Sequence, residues 1–349
     1  MRFLSSLLGG SENGIMMLLN QPKEKMRPTM DTNSPLNIFI TGGASGVARE
    51  ATRQAIARGH KVTVLTEGSE GATKARQDGA LPAYSDPTRA GELKSLFTMS
   101  KIDVVIHLLP QAGNSFPTKD GYEAQERIMV QSAVALVEAA KEAGVKFIVY
   151  ASYASVVGDA HGEWLTEDQV GHQNRALRPI LAAEHQVMTS GLNACVLRAG
   201  FVYGGETVSI HALGDVIRRG RSPYLGDSHS VQNWIYESDL AQAAVLAAEK
   251  QPVGEIINVV DDEPVSAFAF CNYLATGLGM SALEASTTPM FVLQRSTGSI
   301  QRALLDASVR LKNDKAKQVL GWRPRYPNYR AGLEQTMLQW RASEPVPTA

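Results

Sequence analysis

One stretch constrains the fold more than any other: Asn37-Ile-Phe-Ile-Thr41-Gly42-Gly43-Ala44-Ser45-Gly46-Val47-Ala48. An apolar strand runs into a glycine-rich turn, and a helix-forming run from Arg49 to Arg58 follows. Gly42 lets the chain turn sharply off the strand, Gly46 lets backbone approach a ligand, and the small Ala48 lets the helix pack on a sheet. The helix start then offers free N–H groups and a partial positive charge, which suits an anion such as a dinucleotide pyrophosphate. A glycine-rich turn alone says little. Here the strand before it, the helix after it and a second strand over Lys61–Leu65 give it context.

Beyond that strand the patterning alternates. It predicts a helix over Ser69–Gln77, a short strand at Leu81–Tyr84, a helix over Thr88–Thr98 and a buried strand at Asp103–Leu108. A long helix over Gly121–Ala143, with apolar Val130, Ala133, Val137 and Ala140, leads to a fifth strand at Val145–Tyr150. This order implies an α/β fold of Rossmann type: a doubly wound parallel sheet with right-handed crossovers. Its ligand should lie beyond the C-terminal strand ends, near Thr41, Leu65, Leu108 and Ser152. Past residue 200 the alternation fades into loops. Val231–Tyr236, a helix over Asp239–Lys250 with Asp239 as its N-cap, and a strand at Glu255–Val260 read as a smaller substrate lobe. The expected division is a flexible extension over 1–35, a nucleotide domain over 36–200, a substrate lobe over 201–340 with some strands returning to the sheet, and a tail over 341–349.

Charge and cysteine content narrow the partners. Lys and Arg total 34 against 35 Asp and Glu, so no basic face points to nucleic acid. The two cysteines, Cys195 and Cys271, offer neither a disulfide framework nor metal-ligand spacing, and fit a reducing cytoplasm with no metal. No apolar run approaches about 18 residues, so no membrane span is expected.

Several separated motifs together resemble the short-chain dehydrogenase/reductase superfamily, and most closely its extended NAD-dependent epimerase/dehydratase group. The Thr41–Gly46 turn is one. Ser85-Asp86 resembles the family's Gly-Asp after the third strand, and His107-Leu108 its His-Leu-Ala run. Phe147–Gly158 resembles the fifth strand with its Ser-rich turn, and Leu197-Arg198-Ala-Gly-Phe-Val-Tyr203-Gly204 the Leu-Arg-Pro-x-x-x-Tyr-Gly run. Trp234–Ala241 and the stretch from Asn313 to Pro324 resemble two C-terminal signatures. The resemblance covers about residues 36–340. It implies NAD, or less readily NADP, held by Thr41, Gly42, Ala44, Ser45, Gly46, Val47, Glu67, Asp86 and Leu108. It also implies a small hydroxylated substrate, such as a sugar nucleotide, near Arg198, and a homodimer formed through helices over Gly121–Ala143 and Pro179–Ser190. Arg221, by its charge, suits an anionic substrate group such as a diphosphate, with a solvated loop arginine as the competing reading.

The catalytic centre departs from that pattern. Anchored on Glu184, the family's Tyr-x-x-x-Lys positions hold Ala176 and Ile180, and its Ser/Thr position holds Tyr153. A Tyr and a Lys four apart share a helix face, and the ammonium lowers the phenol pKa so that a proton can move with the hydride. Ala176 and Ile180 can do neither. Tyr153 is the sharpest replacement, with Ser152 beside it and His172 in the following loop; His161, Glu163, Glu167 and Arg175 share that loop. A packing role for Tyr153 is the competing reading. Glu67, after the second strand, favours NAD because a carboxylate there bonds ribose hydroxyls and repels a 2′-phosphate. Two functions remain open: an oxidoreductase or epimerase/dehydratase with a non-standard site, or an inactive dinucleotide-binding sensor, scaffold or accessory subunit.

Overall fold

In a computed structural model of the chain, residues 34–43, 45–108, 119–172, 174–220, 227–284 and 299–343 are described. In the nucleotide half these are β1 (Asn37–Ile40), α1 (Gly46–Ala57), β2 (Lys61–Leu65), α2 (Gly68–Gln77), β3 (Leu81–Ala83), α3 (Ala90–Met99), β4 (Val104–His107), α4 (Lys119–Ala143) and β5 (Phe147–Tyr153). There follow β6 (Trp164–Leu165), α5 (Arg178–Met188), β7 (Ala194–Ala199), β8 (Phe201–Tyr203), α6 (Val208–Arg218), β9 (Val231–Gln232), β10 (Trp234–Tyr236), α7 (Glu237–Lys250) and β11 (Ile256–Val259). The chain ends with β12 (Val265–Ser266), α8 (Ala267–Gly277), α9 (Ser299–Asp306), β13 (Arg310–Leu311), α10 (Asp314–Leu320) and α11 (Tyr329–Ser343).

The central sheet has seven parallel strands in the order β11-β7-β5-β4-β1-β2-β3. Both faces are covered, which is why β4 and β7 are buried along their whole length and are mostly apolar. Ile38, Ile40, Ile106, Val149 and Leu197 point to one face, under α1 and α7. Phe39, Val105, Ile148, Tyr150 and Val196 point to the other, with Leu93, Phe97, Ala183 and Val187 from the covering helices. Winding starts at β1, runs outward to β3, then crosses back to β4. The crevice between the C-terminal ends of β1 and β4 is therefore the topological switch point.

A second core lies between the later elements, built on aromatics: Tyr203, Trp234, Tyr236, Phe270, Tyr329 and Trp340. Trp234 stacks on Phe270 with ring centroids 3.6 Å apart. The strand β11 returns to the main sheet beside β7. The stretch Val231–Tyr236 splits into two strands that pair with different partners, β9 with β12 and β10 with β8.

The Asp239 expectation needs correction. The helix α7 begins at Glu237, two residues earlier, and Tyr236 holds the N-cap position. Asp239 instead accepts the Arg325 and Tyr326 N–H groups at 3.0 and 2.8 Å, tying down the C-terminal segment. Trp322 from that segment is fully buried and donates to the Asp239 carbonyl at 2.9 Å.

Candidate functional site: the β1–β4 crevice and the end of β5

Gly42 leaves β1 at φ +97°, in the left-handed region that glycine tolerates. A Cβ there would sit 3.1 Å from Leu108 Cβ, so the turn passes against the end of β4. Ser45 caps α1 by accepting the Ala48 N–H, and Val47 and Ala48 are buried beneath it. Thr41 joins the two strand ends. Its Oγ1 accepts the Leu108 N–H at 3.1 Å, lies 3.3 Å from the Leu108 carbonyl, and is 3.0 Å from His107 Nδ1. Burial holds His107 well below the ordinary imidazole range, at about 4, so the ring is neutral at pH 7. It stacks on Tyr150, its register partner in β5.

These residues fit a dinucleotide. The glycine turn brings backbone to the switch point, the capped helix offers its N-terminal N–H groups, and α1 carries no acidic residue in its first turn. Glu67 is exposed at the end of β2, where a ribose would lie. Asp86 is exposed after β3; its carboxylate accepts the Thr88 N–H and hydroxyl at 2.9 and 2.6 Å. The expectations for Ala44 and Arg221 fall outside the described residues.

At Gly46 the structure gives a reason the sequence did not show. A Cβ on Gly46 would collide with the carboxyl of Glu237, the first residue of α7, and would lie 3.2 Å from the Glu206 carbonyl carbon. Sequence reading passed over Glu237. Its only trace is a carboxylate following the apolar run Trp234-Ile-Tyr236.

The β5 end is remodelled. Ile180, read in the sequence as standing at the family's Lys position, is 1% exposed and packs with Met129, Val156, Leu177 and Leu304. Ala176, read as standing at the Tyr position, lies in the short turn before α5, and both Ala176 and Tyr153 pack against the same cluster. Ser152, one residue before Tyr153, is fully buried. Together with His107 Nε2, the Tyr150 hydroxyl and Arg198 Nη1, its Oγ is a buried polar atom with no hydrogen-bond partner among the described residues.

Arg198 is 5% exposed, and Glu184 grips its guanidinium at 2.8 and 3.2 Å. The fork expected to face substrate is engaged by a buried carboxylate. His172 is exposed and bridges Asp159 through the backbone. Glu167 is buried and accepts the Asn258 N–H at 2.9 Å, a brace for β11. His161 is exposed and faces Asp159 at 3.0 Å. Among the described residues, no three His, Cys, Asp or Glu side chains are placed to hold a metal ion, and no helix is long and apolar enough to cross a membrane.

The family model for the NAD dependent epimerase/dehydratase family matches residues 38–259. A 3-diazoavenalumate denitrifying reductase of Streptomyces sp. is 28% identical, the match covering 84% of this chain and 98% of that protein. A 4-hydroxy-2-methyl-3-oxo-4-farnesyl-3,4-dihydroquinoline-1-oxide ketoreductase of Stigmatella aurantiaca is 24% identical over 86% of this chain and 95% of its own. Among solved structures, a UDP-glucose 4-epimerase of Thermotoga maritima with UDP-glucose superposes with a TM-score of 0.71 at 21% identity. That match covers 88% of this chain and 99% of the epimerase.

Proposed function

The chain belongs to the NAD-dependent epimerase/dehydratase family, and on that premise we propose that it is an NAD(H)-dependent oxidoreductase with a rebuilt proton-transfer site. The observation that carries this reading is the turn after β1. Gly42 at φ +97° lies against Leu108, and the capped start of α1 faces the switch point of the sheet. Thr41, Gly42, Ser45, Gly46, Val47 and Leu108 would hold the pyrophosphate and nicotinamide side, with Glu67 and Asp86 toward the adenosine half. When bound, the nicotinamide supplies or accepts hydride.

The remaining chemistry falls to this chain. Tyr153 would present its phenol to the substrate oxygen, and Ser152 would hydrogen-bond the same region from β5. The apolar cluster of Ile180, Ala176 and Leu304 excludes water around them. The substrate is a hydroxylated or carbonyl compound. An apolar ring framework fits this wall, which presents the side chains of Ile180, Ala176 and Leu304, while Arg198 is already paired with Glu184. The reductase names of the two relatives above agree with that direction. We place the substrate lobe over residues 201–340, and the exposed Ile128 and Val134 on α4 suit a homodimer face.

The test is single-turnover oxidation of NADH against paired panels of aromatic or polycyclic ketones and nucleotide-sugar ketones. Turnover of an apolar ketone, lowered at least roughly a hundredfold by Tyr153→Phe, supports the reading. Unchanged turnover in that variant removes Tyr153 from the mechanism. A second reading rests on Ala176 and Ile180 themselves: a dinucleotide-binding subunit without turnover. It is favoured if NADH binds and no panel member is reduced.

A further inference from the structure

The Glu237 carboxyl is the most unusual group beside the glycine turn. It is 2% exposed and lies between two glycines, Gly46 and Gly204, each of which has no room for a Cβ because of it. Its Oε1 accepts the Glu206 N–H at 3.1 Å and its Oε2 accepts the Thr207 hydroxyl at 2.7 Å. In a helix the Cα–Cβ bond tilts toward the N-terminus. A group that fills the Cβ position of the first helical residue therefore sits at the positive end of that helix. This is the end where the pyrophosphate would bind.

The surrounding charges do not relieve it. Glu206 and Glu50 lie near enough to disfavour its ionised form. Two cations on α1, Arg49 and Arg53, are spent on Asp78 and Glu206 at 2.7–3.2 Å. Beside it on its own segment, Tyr236 is a neutral phenol and Asp239 is held by backbone N–H groups. From α11, Tyr236 meets Gln339, an uncharged amide. Burial pushes the Glu237 carboxyl up to about 7, so its charge changes near neutral pH.

We propose that Glu237 is a proton-linked gate on pyrophosphate binding: the dinucleotide binds with uptake of a proton at the Glu237 carboxyl, because two anions compete for one helix N-terminus. The inference rests on the dinucleotide reading above. Binding raises the Glu237 pKa, so affinity is highest below about pH 6 and falls as pH rises through the range where the free carboxyl ionises. The bound pyrophosphate does not titrate there, and neutral His107 does not either.

The experiment is calorimetric titration with NADH from about pH 6 to about pH 8.5, in two buffers of different ionisation enthalpy, on the natural chain and on Glu237→Gln. Adenosine, which lacks the pyrophosphate, is the control ligand. The natural chain should lose about tenfold in NADH affinity across that range and take up about half a proton on binding near about pH 7.5. Glu237→Gln should bind with the acid-limit affinity at every pH and take up none, and adenosine should show no slope. A flat profile with no proton uptake in the natural chain overturns the gate, as does an unchanged slope in the variant. If Glu237→Gln does not fold, proton uptake by the natural chain decides alone. Failure of NADH to bind at any pH, with folding intact, overturns the dinucleotide reading itself, an outcome distinct from pH-independent binding.

Discussion

Replacing Glu184 by Gln isolates the role of the buried ion pair beneath the β5 end. Glu184 and Arg198 side chains are 5% and 6% exposed and meet through two charge-assisted hydrogen bonds at 2.8 and 3.2 Å. Arg198 Nη1 already has no hydrogen-bond partner among the described residues. The variant would leave a guanidinium in the core with only a neutral amide facing it, and breaking a buried pair by removing one partner costs about 3–5 kcal/mol. Removing both charges with apolar residues of similar volume, as in Glu184→Leu with Arg198→Met, should cost far less, because no charge is stranded. Urea denaturation followed by circular dichroism, at pH 7, measures both. The pair is a structural brace if the single variant loses at least about 3 kcal/mol and the double variant recovers most of it. A loss below about 1 kcal/mol in the single variant refutes the reasoning, and would return Arg198 to the substrate side.

Other consequences are as direct. Gly42→Ala forces a left-handed residue with a Cβ 3.1 Å from Leu108 Cβ; NADH affinity should fall at least about tenfold in calorimetry, with a stability loss of about 1–2 kcal/mol. Ile180→Lys, which restores the family's residue type, places an ammonium in the cluster of Met129, Val156, Leu177 and Leu304; thermal denaturation should show a loss of about 3 kcal/mol or more rather than a gain of activity. His107 is depressed in the folded state to about 4. Its stabilising contribution is therefore full above about pH 6.5 and is lost as pH falls toward 4, by up to about 3 kcal/mol. His107→Asn should flatten that acid limb of the stability profile, and in NMR the His107 ring signals should not titrate between about pH 5.5 and 8.

The nucleotide half was legible because local patterning and tertiary role coincide there. Lys61–Leu65 matches its strand to the residue, and α4 starts two residues before the expected Gly121. In the later chain they separate. The strand β7 carries Arg198, which the sequence pointed toward substrate, whereas its charge is reconciled by Glu184, a partner 14 residues away. Asp239 has the chemistry of an N-cap, but its carboxylate serves a segment nearly 90 residues onward. The site shows the same split. Glycine spacing revealed the turn, whereas the filling of Gly46's side-chain space by Glu237 depends on α7 packing against α1, which no local pattern encodes. The apolar residues Ala176 and Ile180 were visible in the sequence; the cluster they join was not, because it draws in Met129 and Leu304, far apart along the chain.

The central claim is that the β1–α1 turn binds a nicotinamide dinucleotide. Titration of the purified chain with NADH and NADPH at about pH 6.5, read by energy transfer from tryptophan to the reduced nicotinamide, tests it most directly. The account predicts saturable binding of NADH, with NADPH at least roughly tenfold weaker because of Glu67. Absence of saturation with either ligand, in a chain that circular dichroism shows to be folded, would contradict it.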